Sequence, residues 1–200
     1  GIFCSLVCRM IGCAYQGTGA MARHEAAGRA GDYDSLYQSY VSVSKQVDDL
    51  SMLRKIALAI NTSIELNEIL PVIANVVHGA LDVGRLTSFE LGKGGVTAQP
   101  VIAKYGRDLI TRDRLEEEVV HVQGSPYGDA IRTHMPIIIN SAYQSAAFVP
   151  LFAKGAALGV MRLEDRNDGT PFVQQDAQLF QSIGSMIALA INNAHLYALA

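Results

Sequence analysis

Two hundred residues, half of them hydrophobic and 18% charged, with a mean hydropathy of +0.19, describe a folded chain long enough for a sizeable core. A net charge of -3, a pI near 5.9 and 16 scattered Lys and Arg argue against a nucleic-acid surface and give a membrane-surface role no support. The three cysteines are Cys4, Cys8 and Cys13, so residues 14–200 hold no disulfide framework and no thiolate metal site, which fits a reducing cytoplasm.

In chain order, Ile2 to Cys13 is apolar but short and interrupted by Arg9, too little to span a bilayer. Met10-Ile11-Gly12-Cys13 faintly resembles a lipoprotein cleavage box; the plainer reading of residues 1–34 is a poorly ordered leader or linker, rich in Gly and Ala. Leu36, Tyr40, Val43, Val47 and Leu50 form a heptad-like stripe that shifts to Leu53, Ala57 and Ile60, predicting a helix over 35–60 that wants a partner. A second helix follows, with Asn67 as N-cap, Glu68 and Pro71 near its first turn, and Leu70, Ile73, Val76, Val77, Ala80 and Leu81 on its apolar face. Arg85–Leu91 and Val96–Tyr105 read as a hairpin around Gly92-Lys93-Gly94-Gly95. Glu116–Val122 reads as a strand, with Glu116-Glu117-Glu118 as a solvated run rather than paired acid–base carboxylates. Ser125–His134 is a short helix capped by Ser125 with Pro126 in first position, and Pro136–Asn140 a brief strand. Ala146–Lys154 and Ala156–Asp165 make a hairpin on Gly155, where positive φ is expected, and Gly159 suits a close backbone approach. Val173–Leu199 is one long helix with the stripe Leu179, Ile183, Met186, Ala190, Ala194 and Tyr197. An α+β fold follows, a largely antiparallel sheet with the first and last helices together on one face.

Three blocks carry a family resemblance: Thr62 to Leu70; Gly124-Ser125-Pro126-Tyr127-Gly128-Asp129-Ala130-Ile131 with Met135-Pro136-Ile137-Ile138-Ile139-Asn140; and Phe148-Val149-Pro150-Leu151 with Gly155, Leu158-Gly159-Val160, Leu163-Glu164-Asp165-Arg166, Phe172 and Asp176. In this order they resemble the GAF family, over roughly residues 50–198. The resemblance implies a PAS-related antiparallel sheet with N- and C-terminal helices on one face and short helices and loops over the other. It implies a sensory domain at 61–200 behind a signalling helix at 35–60. The family's cyclic-nucleotide binders carry an Asn-Lys…Phe…Asp-Glu signature; here Asp165, Arg166, Phe172, Asp176 and Ala177 stand at those positions, which weighs against that ligand. Arg166 and Asp176 are expected to form a structural pair.

No catalytic constellation is present. The histidines His24, His78, His121, His134 and His195 form no metal-binding helix pair, and no phosphate-cradling glycine loop occurs. The family's free methionine sulfoxide reductases and bilin carriers need a pocket cysteine, and none follows Cys13. Haem would need His121 or His134 as axial ligand, and a lone histidine is more often a surface or cap residue. No cofactor is expected. A pocket between the sheet and the 103–145 region would draw on Phe89, Tyr105, Tyr127, Ile131, Phe148 and Met161, each equally readable as core, and on Arg162, which interrupts an apolar strand and faces either solvent or an anionic ligand. The short stretch from Asn140 to Ala146 suggests a small or shallow site.

The expected protein is thus a non-catalytic, cytoplasmic small-molecule sensor cut from a larger bacterial-style signalling protein. Parallel homodimerisation through 36–60 and 175–198 would relay its state to a histidine kinase, diguanylate cyclase or AAA-type activator outside this chain. The competing expectations are a ligand-free structural dimerisation module and an enzyme acting through the N-terminal cysteines.

Overall fold

The computed structural model describes residues 35–58, 66–115 and 119–198. The expectations for the leader at 1–34 and its cysteines, for Thr62 to Glu65 and for the Glu116–Glu118 run lie outside these residues. Helix α1 occupies 35–58 and α2 Leu66–Leu81. The strands are β1 Val83–Leu91, β2 Thr97–Tyr105, β3 Asp108–Thr111, β4 Val120–His121, β5 Ile137–Asn140, β6 Ser145–Ala153 and β7 Ala156–Arg166. Helix α3, Pro126–Thr133, lies between β4 and β5, and α4 spans Ala177–Ala198.

The strands form one antiparallel sheet in the order β3-β2-β1-β7-β6-β5, with β4 also pairing β2. Alternation along each strand divides its side chains between two faces. On one face, Leu86, Ile102, Val149, Leu151, Met161 and Leu163 meet Ile69, Ile73 and Val77 of α2, Phe180, Ile183 and Ile187 of α4, and Ile56 of α1 in the main core. On the other, Phe89, Ala98, Phe148 and Val160 meet Tyr127 and Ala130 of α3 in a smaller core. The expected α+β arrangement, with terminal helices on one face and a short helix over the other, is therefore observed.

Local chemistry explains the sharpest turns. Ser125, at φ -118° and ψ 163°, accepts from the Gly128 N–H at 3.5 Å and donates to the Val122 carbonyl at 2.7 Å, so α3 starts where Pro126 costs no hydrogen bond. The β6–β7 hairpin turns on Lys154 (φ 51°) and Gly155 (φ 81°), the two positive values that match strand twist in a two-residue loop. At Gly159 an added Cβ would stand 1.9 Å from the Phe89 carbonyl oxygen, so this residue sets how closely β7 approaches β1.

Several elements depart from the sequence expectation. Asn67 lies inside α2 rather than at its cap. The four-residue strand β3 was not anticipated: Asp108-Leu109-Ile110-Thr111 is too short for alternation to register, and pairing with β2 supplies its order. The strand expected over Glu116–Val122 is two residues long where described. The buried face of α4 is rotated from the expected stripe: Phe180, Ile183, Ile187, Ala190 and Ala194 are buried, whereas Leu179 and Met186 are partly covered and Tyr197 is 65% exposed. So many apolar residues occupy this helix that only packing selects the face. In α1 the stripe Leu36, Tyr40, Val43, Val47 and Leu50 is exposed, and the chain enters the core through Ile56 instead. Asp49–Ala200 form one compact unit, and residues 35–48 fall in another.

Candidate functional site

Strand β7 places Arg162 and Glu164 on the α3 face and Met161 and Leu163 on the helix face, because neighbours along a strand point opposite ways. Register then sets Arg162 beside Thr87 of β1 and Phe148 of β6, and Glu164 beside Arg85 of β1. Above them, α3 lowers Tyr127 between two phenylalanines. Its ring meets Phe89 edge-on at 5.0 Å and Phe148 at 4.9 Å, geometries that aromatic quadrupoles favour. Ile131 packs against the same group.

The Arg162 guanidinium holds this arrangement together. Its Nη1 donates to Tyr127 Oη at 2.8 Å, its Nε lies 3.1 Å from Glu164 Oε2, and its Cζ stands 5.3 Å from the Phe89 ring centre. Glu164 is shared further: Oε2 is 3.7 Å from Arg85 Nε, and Oε1 accepts from Gln144 Nε2 at 2.8 Å. Burial strengthens these contacts, because less water screens them.

Of the seven residues expected at a pocket, the structure brings together Phe89, Tyr127, Ile131, Phe148 and Arg162. Two stand apart. Met161 is turned into the main core on the opposite face, and Tyr105 lies at the end of β2, 37% exposed, beneath the Arg85 guanidinium at 5.5 Å. Sequence reasoning missed Arg85, Glu164 and Gln144. Glu164 could have been found from its spacing of two from Arg162, which puts both on one face of a strand.

A cleft of about 590 Å³ opens on the helix face, where Leu70 and Pro71 of α2 and Ile191 and His195 of α4 meet the ends of β1, β2, β6 and β7. Phe89 is the one expected pocket residue on its wall. At its rim Arg112 pairs with Glu90, and the Thr111 hydroxyl donates to Asp113 Oδ1 at 2.7 Å. That hydroxyl holds the exposed Asp113 carboxyl below its ordinary pKa.

A third polar group closes the end of the sheet. Arg166 Nη2 donates to Asp176 Oδ2 at 2.8 Å, and that oxygen also accepts from the Val173 N–H at 2.9 Å, fixing the turn into α4. Ser145 Oγ donates to Asn140 Oδ1 at 2.6 Å and accepts from the Phe172 N–H at 2.8 Å, while Asn140 Nδ2 donates to the Phe172 carbonyl. These bonds tie the end of β7 and the β5–β6 turn to the segment that leads into α4. His121 and His134 are exposed, and His134 stacks on Phe152 at 4.1 Å. Among the described residues, no group of three or more His, Cys, Asp or Glu is placed to hold a metal, and no helix is long and apolar enough to cross a membrane.

An open antiparallel sheet with long helices on one face and a short capped helix on the other defines an α+β module. The model for the GAF domain matches residues 65–193, and the chain belongs to that family, a regulatory and sensory fold of signalling proteins. Its structure is similar to the GAF domain of an Acinetobacter phosphoenolpyruvate-protein phosphotransferase, with a TM-score of 0.63 and 17% identity over 76% of this chain and 98% of that one. It is also similar to free methionine-R-sulfoxide reductase from Neisseria meningitidis in complex with its substrate (TM-score 0.61, 13% identity, 74% of this chain and 91% of that one). The A. aeolicus nlh2 GAF domain in an inactive state gives a TM-score of 0.54 at 13% identity, over 74% and 97% of the two chains. At such identities the likeness shows a shared fold. No curated protein sequence matches the chain.

Proposed function

We propose that this chain is a non-catalytic, cytoplasmic sensory module. It takes up a small molecule on the α3 face and relays occupancy through α1 and α4 of a parallel homodimer to an output domain such as a histidine kinase, diguanylate cyclase or AAA activator. The observation that carries this reading is the convergence of Arg85, Arg162, Glu164, Gln144 and the Tyr127 hydroxyl over an aromatic floor, since recognition needs polar groups aimed at one point above apolar surface. The helix-face cleft is also large enough for a guest, and there Arg112 pairs with Glu90 and Thr111 with Asp113. Strand β7 supplies the link, because Arg162 on one face and Met161 and Leu163 on the other share a backbone that packs on α2 and α4. The absence of cysteine after Cys13 supports a non-catalytic role, because residues 14–200 then offer no thiol nucleophile.

One observation favours the second reading, a ligand-free dimerisation module: the space beneath α3 is filled by the Phe89, Tyr127 and Phe148 rings. Thermal denaturation of the full chain against a metabolite panel separates the two. A saturable rise in Tm, reflecting about 2.7 kcal/mol of added stability at a hundredfold excess over Kd, is expected of a sensor, and a flat response of a spacer.

A further inference from the structure

The helix-face cleft of about 590 Å³ opens on the opposite side of the sheet from Arg162 and Tyr127. Its walls are mainly apolar. Leu70 and Pro71 come from the start of α2, Ile191 from α4, and Leu91, Val101 and Leu158 from the strands. Apolar surface gathered in a concavity of this size suits the body of a small molecule, and the few polar groups beside it select which molecule fits.

The polar groups here favour a cation. The Arg112 guanidinium is paired with Glu90, so its charge is already answered. Asp113 has a hydroxyl for a partner: the Thr111 O–H donates to Oδ1 at 2.7 Å, and among the described residues no cationic side chain is ion-paired with this carboxylate. The hydroxyl and, to a smaller degree, the adjacent Arg114 hold the carboxyl below its ordinary pKa, which keeps it ionised. Glu90, Asp113 and Arg112 thus set two carboxylates against one guanidinium at the cleft. From α4, His195 adds an imidazole, whose bare ring nitrogen accepts a hydrogen bond.

We propose that the helix-face cleft is a second ligand site and that it takes a small amphipathic amine, with its apolar body between α2, α4 and the strands and its ammonium at Asp113. An ammonium carries three N–H donors and no acceptor, which matches a rim of carboxylate, hydroxyl oxygen and imidazole. An organic acid of the same shape would meet two carboxylates and a guanidinium already engaged. The site does not depend on the reading of the α3 face. Its consequence differs as well: an occupant touches α2 and α4 directly and holds both against the sheet, without acting through Arg162.

Three probes of similar shape test this in the full chain: 2-phenylethylamine, the neutral 2-phenylethanol and the anionic 3-phenylpropanoate. Each is titrated at constant ionic strength and followed through the methyl resonances of Leu70, Leu158 and Ile191. The amine is expected to saturate and to bind about tenfold more tightly than the alcohol, and the acid not to saturate. Asp113→Asn is expected to remove most of the amine's advantage and to leave the alcohol unchanged. Asp113 is exposed, so this variant alters charge with little effect on folding. In wild type alone, equal affinities for the three probes, a preference for the acid, or no saturable binding of the amine overturns the proposal. Amine-induced shifts centred on Val122 and Ile131 beneath α3 also overturn it, as does undiminished amine binding by Asp113→Asn.

Discussion

Replacing Gly159 with alanine is expected to cost about 3 kcal/mol and lower Tm by roughly 10 °C, far more than one methyl group implies. The added carbon would lie 1.9 Å from the Phe89 carbonyl oxygen and 3.3 Å from the Glu90 Cα, both backbone atoms, so no rotamer change relieves the clash. Relief requires β7 to move away from β1, and Phe89↔Val160 and Glu90↔Gly159 are paired at that point. The same shift would lift Phe89 from Tyr127, linking strand spacing to the sensing face. Urea unfolding should show a lower midpoint at an unchanged m-value. Gly79→Ala is the matched control: it lies within α2 with nothing inside 4 Å of the added carbon, and a gain of about 0.5–1 kcal/mol is expected. Equal effects at the two positions would show that close strand approach is not what Gly159 provides.

The second large effect is expected at Asp176. Its side chain is 5% exposed and accepts from both Arg166 and the Val173 N–H, so Asp176→Ala leaves a guanidinium and a turn amide without their acceptor. A loss of about 3 kcal/mol follows. Arg166→Ala is costly as well, because it strands a buried carboxylate. The double variant should therefore lose less than the sum of the single variants, with a coupling energy of about 1–3 kcal/mol from denaturation of all four proteins. Additive losses would mean that the pair does not act as a unit.

Much of the fold was legible because its signals are local. Ser125 with Pro126, and Gly155 at the β6–β7 turn, act through their own backbone and immediate neighbours, and both behave as expected. The face of α4 was not legible in the same way. Nearly every turn of Ala177–Ala198 offers apolar residues, and contact with β6 and α2, far away in sequence, selects Phe180 and Ile187 over Leu179 and Met186. Strand β3 was invisible because four residues paired at a sheet edge carry no periodic pattern. The candidate site lies between these cases. Arg162 stood out as a charge in an apolar strand, and the rule that isolates it also sends its neighbour Met161 to the other face and brings Glu164 to its own. Arg85 and Gln144 meet Glu164 from 79 and 20 residues away in sequence, a pairing that no single-segment reading supplies.

The relay is the step on which the proposed function depends, since a ligand on the α3 face of a solitary chain would have no partner to report to. Leu36, Tyr40, Val43, Val47 and Leu50 are each at least 58% exposed, a spaced apolar stripe suited to a second copy of the same helix. Light scattering of the full chain at high micromolar concentration tests this directly. A mass twice the 21.5 kDa of one chain is predicted, and a monomer at that concentration would contradict the account.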